Sequence, residues 1–222
     1  LLQDREGRMW FGTYGGGAGR LMTERFGHHT EANGLPRSLV YAIAEDGEGN
    51  MLFGTDGGGV SRLSKDGFEI WNTETGLAGD TVYSIIRDRS GRIWFATYGE
   101  GVSRRNTDGS FTIFTEEDGL VSNKVFSVFE DSRGAIWFAA DGGVSVFRDN
   151  EFVSYTRWTG LPAEVVLSVF EDSTGRIWFL TLSEGVIAFT NEKSTALTTS
   201  DGLPSNRVYS IHEDPEGALW FG

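Results

Sequence analysis

A nine-residue phrase close to Glu-Asp-x-x-Gly-x-Ile-Trp-Phe occurs six times in this chain, and it limits the possible folds more than any other feature. The copies read "QDREGRMWF", "EDGEGNMLF", "RDRSGRIWF", "EDSRGAIWF", "EDSTGRIWF" and "EDPEGALWF". Their aspartates recur every 41 to 43 residues, at Asp4, Asp46, Asp88, Asp131, Asp172 and Asp214. A second phrase, Gly-Leu or Gly-Leu-Pro, keeps the same period, at Gly34, Gly76, Gly119, Gly160 and Gly202. A repeat of this length predicts an array of similar supersecondary units.

Each repeat predicts four short antiparallel strands. In the unit that starts at Gly34 the strand segments are "SLVYAIAED", "NMLFGT", "GVSRL" and "FEIWN", and turn signals separate them. The Asp-x-x-Gly turn has an aspartate at its opening position and a glycine where φ must be positive. Segments such as "RIWFAT" are apolar on both alternating faces, which indicates sheets that are covered on both sides. The sequence therefore predicts an all-β fold, a β-propeller of four-stranded antiparallel blades.

The repeats extend over the whole of residues 1–222, with phrases that start near residues 1, 43, 85, 128, 169 and 211. This content amounts to five blades and a partial sixth. The first and last dozen residues correspond to the same part of the repeat, so we expect a fragment of a longer array, an incomplete arc of a larger propeller. Tryptophan recurs at one strand position and is predicted to pack between blades: Trp10, Trp94, Trp137, Trp178 and Trp220, with Leu52 in the remaining copy.

Composition excludes several classes of function. A net charge of −13 disfavours nucleic acid or an anionic membrane as a partner, because both require a basic surface. The chain has no cysteine, so it forms no disulfide and no thiolate metal site. The Asp-x-x-Gly copies lack the alternating oxygen ligands of a calcium loop, and each aspartate is expected to accept hydrogen bonds from its own turn. We predict no metal and no cofactor, and no apolar run approaches the length of a membrane span.

The alternation of connections in an antiparallel meander predicts where a ligand would bind. The Asp-x-x-Gly and Asp-Gly turns lie on one face, and the Gly-rich second loops lie with the Gly-Leu-Pro linkers on the other. Variation between repeats concentrates on this second face, the loop face, and loops on a rigid scaffold commonly carry binding residues. Aromatic rings with scattered charged groups suit a sugar. The predicted ligand-binding residues are Tyr14, Asp56, Tyr98, Glu100, Asp141, Glu184, Arg37, Asp80, Lys124, Trp158, Glu164 and Arg207.

The phrase "GLPSNRVYSIHEDPEGALWFG", with "FGTDGGGVSRL" and "FTIFTEEDGL", resembles the two-component regulator propeller repeat along essentially the whole chain. The resemblance implies a periplasmic, ligand-sensing propeller of a bacterial membrane histidine kinase, often a hybrid kinase that senses glycans. It implies an oligosaccharide as ligand, with further repeats, a membrane span and a kinase elsewhere in the parent chain. None of His28, His29 and His212 lies in a helical segment suited to a phosphoacceptor, so we expect no kinase activity and no membrane contact from this segment.

Two other functions remain open at this stage. Propellers also carry lyases and glycosidases, and carboxylates such as Glu100 and Asp141 could in principle do acid–base work. The sequence has no catalytic motif, however, and the repeats stay close to consensus, so no catalytic residue is predicted. The third option is a protein-interaction scaffold, which a wide apolar patch on the loop face would favour.

Overall fold

The computed structural model describes residues 1–23, 25–190 and 192–222. Its strands form six antiparallel sheets, five of four strands and one of two, and neighbours in each sheet are consecutive in sequence. These sheets, called blades 1 to 6 in chain order, confirm the predicted all-β propeller architecture. The chain divides into two compact units, Leu1–Phe114 and Thr115–Gly222.

The first unit contains blades 1 to 3, and its strands follow the repeat pattern. They are β1 (Leu2–Gln3), β2 (Met9–Gly12), β3 (Ala18–Leu21), β4 (Phe26–His29), β5 (Val40–Glu45), β6 (Met51–Thr55), β7 (Val60–Ser64), β8 (Gly67–Trp71), β9 (Val82–Arg87), β10 (Ile93–Thr97), β11 (Val102–Arg105) and β12 (Phe111–Phe114). Strands β5 and β9, the first strands of blades 2 and 3, lie alongside each other.

The second unit contains blades 4 to 6. Its strands are β13 (Val125–Glu130), β14 (Ile136–Ala140), β15 (Gly143–Arg148), β16 (Glu151–Thr156), β17 (Val166–Glu171), β18 (Ile177–Thr181), β19 (Val186–Thr190), β20 (Lys193–Leu197), β21 (Ile211–Glu213) and β22 (Leu219–Phe221). Blade 6 consists of β21 and β22 alone. No helix in the described ranges is long and apolar enough to cross a membrane.

Single turns of 3-10 helix stand in the linkers after each complete blade, a feature that the sequence pattern did not predict. They cover Glu31–Asn33, Thr73–Thr75, Glu116–Asp118, Arg157–Thr159 and Thr199–Asp201. Three residues are too few to give a periodic signal. The glycine that follows each turn has a positive φ, and at Gly76 an added Cβ would also meet the Phe111 ring.

The recurring tryptophan is core in four blades, as predicted. Trp10, Trp94, Trp137 and Trp178 are buried, and the residue that follows Trp94, Phe95, is buried as well because the sheet is covered on both faces. The prediction is wrong for Trp220, which is 63% exposed. Blade 6 has only two strands here, and its indole therefore lacks the third and fourth strands that cover the equivalent ring elsewhere.

The aspartate of the repeated phrase accepts hydrogen bonds from its own turn, as expected. In blade 4, Oδ1 of Asp131 accepts from the backbone N–H groups of Arg133 and Ala135, both at 2.9 Å. Oδ2 of the same carboxylate accepts from the Trp137 indole at 2.8 Å. The same Trp–Asp bond is present in blades 1, 3, 5 and 6, at 2.8 Å in each. In blades 1, 3, 4 and 5 the phrase is thus a buried polar link between a turn and the strand that follows it.

Candidate ligand-binding face

The Gly-rich loops and the linkers do share a face within each unit, because backbone hydrogen bonds join them. In the first unit the Asp56 N–H donates to the Leu39 carbonyl of its own blade at 3.1 Å, and the Gly59 N–H donates to the Asp80 carbonyl of the next blade at 2.7 Å. In the second unit the Gly142 N–H donates to the Glu164 carbonyl of the next blade at 2.6 Å. Each Gly-rich loop is therefore fixed against the starts of two first strands.

A cluster of tyrosines on the first unit is the most developed feature of its loop face. Tyr41 in β5 and Tyr83 in β9 have ring centroids 4.6 Å apart, and Tyr98 meets Tyr83 edge-on at 5.6 Å. Tyr14 lies close enough to contribute to the electrostatics of Tyr41 and is 88% exposed. Four of the six tyrosines of the chain thus come together from three blades. We call Tyr14, Tyr41, Tyr83 and Tyr98 the tyrosine cluster.

Two members of the tyrosine cluster, Tyr41 and Tyr83, have a raised pKa and hold their hydroxyl groups in the neutral form. Burial raises the pKa of Tyr41, and the Asp56 carboxylate and the neighbouring tyrosines add to the increase. Burial likewise raises the pKa of Tyr83, although a hydrogen bond from Tyr41 acts in the opposite direction. Asp56 also accepts a hydrogen bond from the Thr81 hydroxyl at 3.2 Å. The cluster therefore offers partly exposed rings, neutral hydroxyls that donate and accept, and one nearby carboxylate.

The other predicted residues of the first unit occupy simpler positions. Asp80 accepts from the backbone N–H of Thr73 at 2.8 Å, so its carboxylate braces the 3-10 turn of the preceding linker. The aliphatic part of Glu100 packs against Gly79. Arg37 is exposed. The structure brings Tyr14, Asp56 and Tyr98 of the predicted set together, and it assigns Asp80 a local structural contact.

In the second unit the predicted residues form separate pairs. Lys124 Nζ lies 3.3 Å from Asp141 Oδ2, and Nη1 of Arg157 lies 3.0 Å from Oε1 of Glu164. These exposed pairs contribute little to stability, roughly 0–1 kcal/mol each. The other three predicted residues of this unit stand apart from one another. Trp158 is 91% exposed on its 3-10 turn, and a carboxylate oxygen of Glu184 accepts a hydrogen bond from the Ser183 hydroxyl at 2.7 Å. Arg207 is exposed, and its backbone N–H donates to Ser205 Oγ.

Tyr41 and Tyr83 were missed by the sequence reasoning because both lie inside predicted strands, which were interpreted as structural. A signal was present, however. Each follows a valine that the strand buries, so the alternation points it to the opposite face of the sheet. The same position holds Phe126, Leu167 and Tyr209 in the later repeats. A hydroxyl-bearing aromatic at a repeated first-strand position is a usable signal for a binding surface.

The described residues contain no group of three or more His, Asp or Glu side chains arranged to hold a metal ion.

Comparison with known families decides the relationship of this chain. The profile of the family described as "Two component regulator propeller" matches residues 1–15, 34–57, 76–99, 119–142, 160–183 and 202–222, which is more than half of the sequence. This chain belongs to the two component regulator propeller family. The four internal matched segments each contain the Gly-Leu part of the linker, the first two strands and the start of the Gly-rich loop of a repeat. The family profile thus includes both the Trp–Asp link and the loops of the candidate face.

Solved structures with the same architecture include extracellular domains of bacterial signalling systems. The propeller is 26% identical, with a TM-score of 0.86, to a structure assigned as the extracellular domain of the hybrid two component system BT3049 from B. thetaiotaomicron. The similarity covers 100% of this chain and 32% of that one, so this propeller spans about a third of the other domain's length.

Two further similarities are below 25% identity and show the fold alone. The extracellular domain of the one component system BT4673 from B. thetaiotaomicron is 21% identical, with a TM-score of 0.79, over 98% of this chain and 32% of that one. Virginiamycin B lyase from Staphylococcus aureus is 14% identical, with a TM-score of 0.78, over 99% and 75% of the two chains. No curated protein sequence matches the chain.

Proposed function

We propose that this chain is a ligand-sensing propeller region of an extracytoplasmic sensor that belongs to a bacterial two-component system. The family membership and the similarity to the extracellular domain of BT3049 support this assignment. The parent protein would place the propeller in the periplasm and would carry a membrane span, a histidine kinase and further repeats. The coding frame on both sides of this segment tests that part of the proposal, because a soluble secreted protein without a kinase would contradict it.

The ligand that the site supports best is a neutral oligosaccharide, and the tyrosine cluster is the observation that carries this proposal. The partly exposed rings of Tyr41, Tyr83 and Tyr98 offer apolar faces and edges on which the C–H groups of a sugar ring can pack. Neutral tyrosine hydroxyls and the Asp56 carboxylate supply hydrogen bonds to sugar hydroxyls. The net charge of −13 disfavours sulfated or otherwise strongly anionic glycans.

We propose that this segment binds its ligand without chemical conversion. One carboxylate, Asp56, acts on the described residues of the tyrosine cluster, whereas glycoside hydrolysis ordinarily requires two carboxyl groups that flank the scissile bond. The fold likeness to virginiamycin B lyase, at 14% identity, carries no information about catalysis in this chain.

Titration of the isolated propeller with a panel of neutral oligosaccharides tests the site, with binding followed by calorimetry. The double variant Tyr41→Ala and Tyr98→Ala should weaken binding at least about tenfold, because two stacking surfaces of roughly 1 kcal/mol each are removed. Tyr209→Ala is a matched control, since it removes an exposed tyrosine at the position equivalent to Tyr41 in blade 6. Unchanged affinity in the double variant with a folded protein would remove the tyrosine cluster from consideration.

Two further measurements separate the alternatives. Trp158→Ala tests the predicted contribution of the second unit, where a 91%-exposed indole stands beside the Arg157–Glu164 pair. Mass spectrometry of the oligosaccharide after incubation tests catalysis, because a lyase or glycosidase would shorten it. A bound but unchanged oligosaccharide is the expected result.

A further inference from the structure

Arginine side chains cover the recurring tryptophan of the repeated phrase in three of the blades. The guanidinium carbon of Arg20 lies 5.5 Å from the Trp10 ring centroid, that of Arg104 lies 5.3 Å from Trp94, and that of Arg176 lies 5.5 Å from Trp178. Two repeat positions supply these arginines. One precedes the tryptophan by two residues, at Arg8, Arg92 and Arg176, and the other is in the third strand, at Arg20, Arg62 and Arg104. A cation over the face of an indole is a favourable electrostatic contact, because the ring face carries partial negative charge.

Blade 4 lacks an arginine at both of these positions. Ala135 stands where Arg8 and Arg92 stand in blades 1 and 3, and Val146 stands where Arg20 and Arg104 stand. Within the part of the chain that the structure describes, no arginine lies over the Trp137 ring.

A cleft of about 610 Å³ opens over Trp137, on the face opposite the predicted binding loops and between blades 4 and 5. Both small replacements, Ala135 and Val146, line it. Its base is aromatic, because the Trp137 ring lies 5.8 Å from Phe189 and is stacked on Tyr155 at 6.5 Å, and Tyr155 lies 4.9 Å from Phe189. This volume is in the range of small-molecule sites in proteins.

The cleft is lined by the carboxylate of Asp131, and the equivalent carboxylates in blades 1 and 3 each accept a hydrogen bond from an arginine. In blade 1, Oδ2 of Asp4 accepts from the Trp10 indole at 2.8 Å and also from Nε of Arg8 at 2.6 Å. Asp88 of blade 3 has the same two partners. In blade 4, Oδ2 of Asp131 accepts from the Trp137 indole, and no guanidinium among the described residues donates to it. A lone pair of a buried carboxylate, which lines the cleft, therefore has room for a donor.

The charges around the cleft favour a cation as well. Four carboxylates and two guanidinium groups line the cleft. The carboxylates belong to Asp131, Asp149, Glu171 and Glu192, and the guanidinium groups belong to Arg133 and Arg148. The two arginines are exposed at the rim, and neither lies over the indole. The comparable cleft between blades 1 and 2 contains the chain's own Arg8 and Arg20 beside Trp10.

We propose that the cleft between blades 4 and 5 binds the guanidinium group of an external ligand, such as an arginine side chain of a peptide. The guanidinium takes the place that the repeat's own arginine fills in blades 1 and 3. It lies over the Trp137 ring and donates hydrogen bonds to Asp131 Oδ2, with Glu192 and Tyr155 beside it. A planar group that both stacks on an aromatic face and donates to a carboxylate fits this position better than an ammonium does. This site is independent of the tyrosine cluster.

The proposal is tested by titrating the propeller with N-acetyl-arginine amide and observing the Trp137 indole N–H resonance by NMR. The matched neutral probe is N-acetyl-citrulline amide, in which a urea replaces the guanidinium at almost the same size. We expect a saturable shift of the Trp137 resonance with the arginine probe and at least a tenfold weaker response to the citrulline probe. Equal responses to both probes, or no response to either, would overturn the proposal.

Filling the site from within provides a second test. Ala135→Arg should restore the pairing seen between Arg8 and Asp4, raise the melting temperature and abolish binding of the arginine probe. Ala218→Arg makes the same change in blade 6 and should leave binding intact, since Ala218 is exposed and lies outside the cleft. Val146→Arg fills the cleft from the third strand and serves if Ala135→Arg does not fold. Undiminished binding in a folded filled variant would refute the assignment.

Discussion

The indole Nε1 of Trp94 donates a 2.8 Å hydrogen bond to Oδ2 of Asp88, and both side chains are buried. This relationship explains why aspartate and tryptophan recur together in the repeat. A carboxylate that folding removes from water needs partners, and the indole supplies one across the first hairpin of the blade. Blade 2 tests the explanation, because it has Leu52 in place of tryptophan. There the Asp46 carboxylate accepts instead from Arg62 Nε at 2.8 Å and from Asn50 Nδ2 at 2.9 Å.

Trp94→Phe should lower the free energy of unfolding by about 2–3 kcal/mol, because it removes a buried hydrogen bond and part of a packed ring. Trp220→Phe removes the same hydrogen bond where the indole is 63% exposed, and it should cost under about 1 kcal/mol. Urea unfolding followed by circular dichroism measures both. Equal losses in the two variants would show that burial does not set the value of the bond.

Ser61→Ala should be neutral or slightly stabilising, whereas Ser103→Ala should cost about 1–2 kcal/mol. The two serines occupy equivalent third-strand positions and are both fully buried. Ser103 Oγ accepts from the Ala78 backbone N–H at 2.7 Å. In the preceding repeat the residue equivalent to Ala78 is Pro36, which has no N–H to donate to Ser61. Ser61 Oγ has no hydrogen-bond partner among the described residues. Thermal unfolding of both variants checks the difference, and a similar loss in each would contradict it.

Acid should destabilise the first unit through Asp4 as the pH falls below about 4. Burial raises the pKa of Asp4, but hydrogen bonds from Trp10 and Arg8 outweigh it and lower the pKa from 3.8 to about 2. A lowered folded-state pKa means that the stabilisation is complete above 3.8 and is lost as the pH falls from 3.8 through about 2. Urea midpoints across this range should fall less steeply in Asp4→Asn than in the unmodified chain. Parallel curves would argue against the role of Asp4.

The first unit should also lose stability through His29 as the pH falls below 6.5. Its ring is stacked on Trp10 at 5.8 Å and meets Phe68 edge-on at 5.7 Å. Burial lowers the pKa of His29 from 6.5, and Arg20 adds to the decrease. The folded state therefore favours the neutral ring, so its contribution is present above 6.5 and is lost as the pH falls through the folded pKa.

Comparison of urea midpoints at about pH 7.5 and 5.5 measures this effect. His29→Gln should reduce the difference between the two midpoints. His28→Gln should preserve most of the difference, because His28 is exposed and contributes less to the lowered pKa of His29 than burial and Arg20 do. If the difference disappeared in His28→Gln and not in His29→Gln, the titrating group would be His28, and the prediction would be contradicted.

Much of the fold was predictable because the same turn and strand residues recur in every repeat. The residue types of Asp131, Gly134 and Trp137 recur at fixed spacing, with Leu52 as the one exception, because a turn, a positive φ and a buried ring favour them. Trp220 shows the limit of that inference. Its identity is the same as that of Trp94, but its burial depends on strands that pack over it, which no local pattern contains.

The sequence by itself determined the four-stranded blade, its period and the face on which the variable loops lie, because these follow from local turn chemistry and alternation along a strand. Only the tertiary structure brought Tyr41 and Tyr83 beside Tyr98, since they are separated in sequence and meet through the side-by-side packing of β5 and β9. Only the tertiary structure also showed that Ala135 and Val146 leave one cleft open over Trp137. A residue's type is local, but the space around it depends on the neighbouring blade.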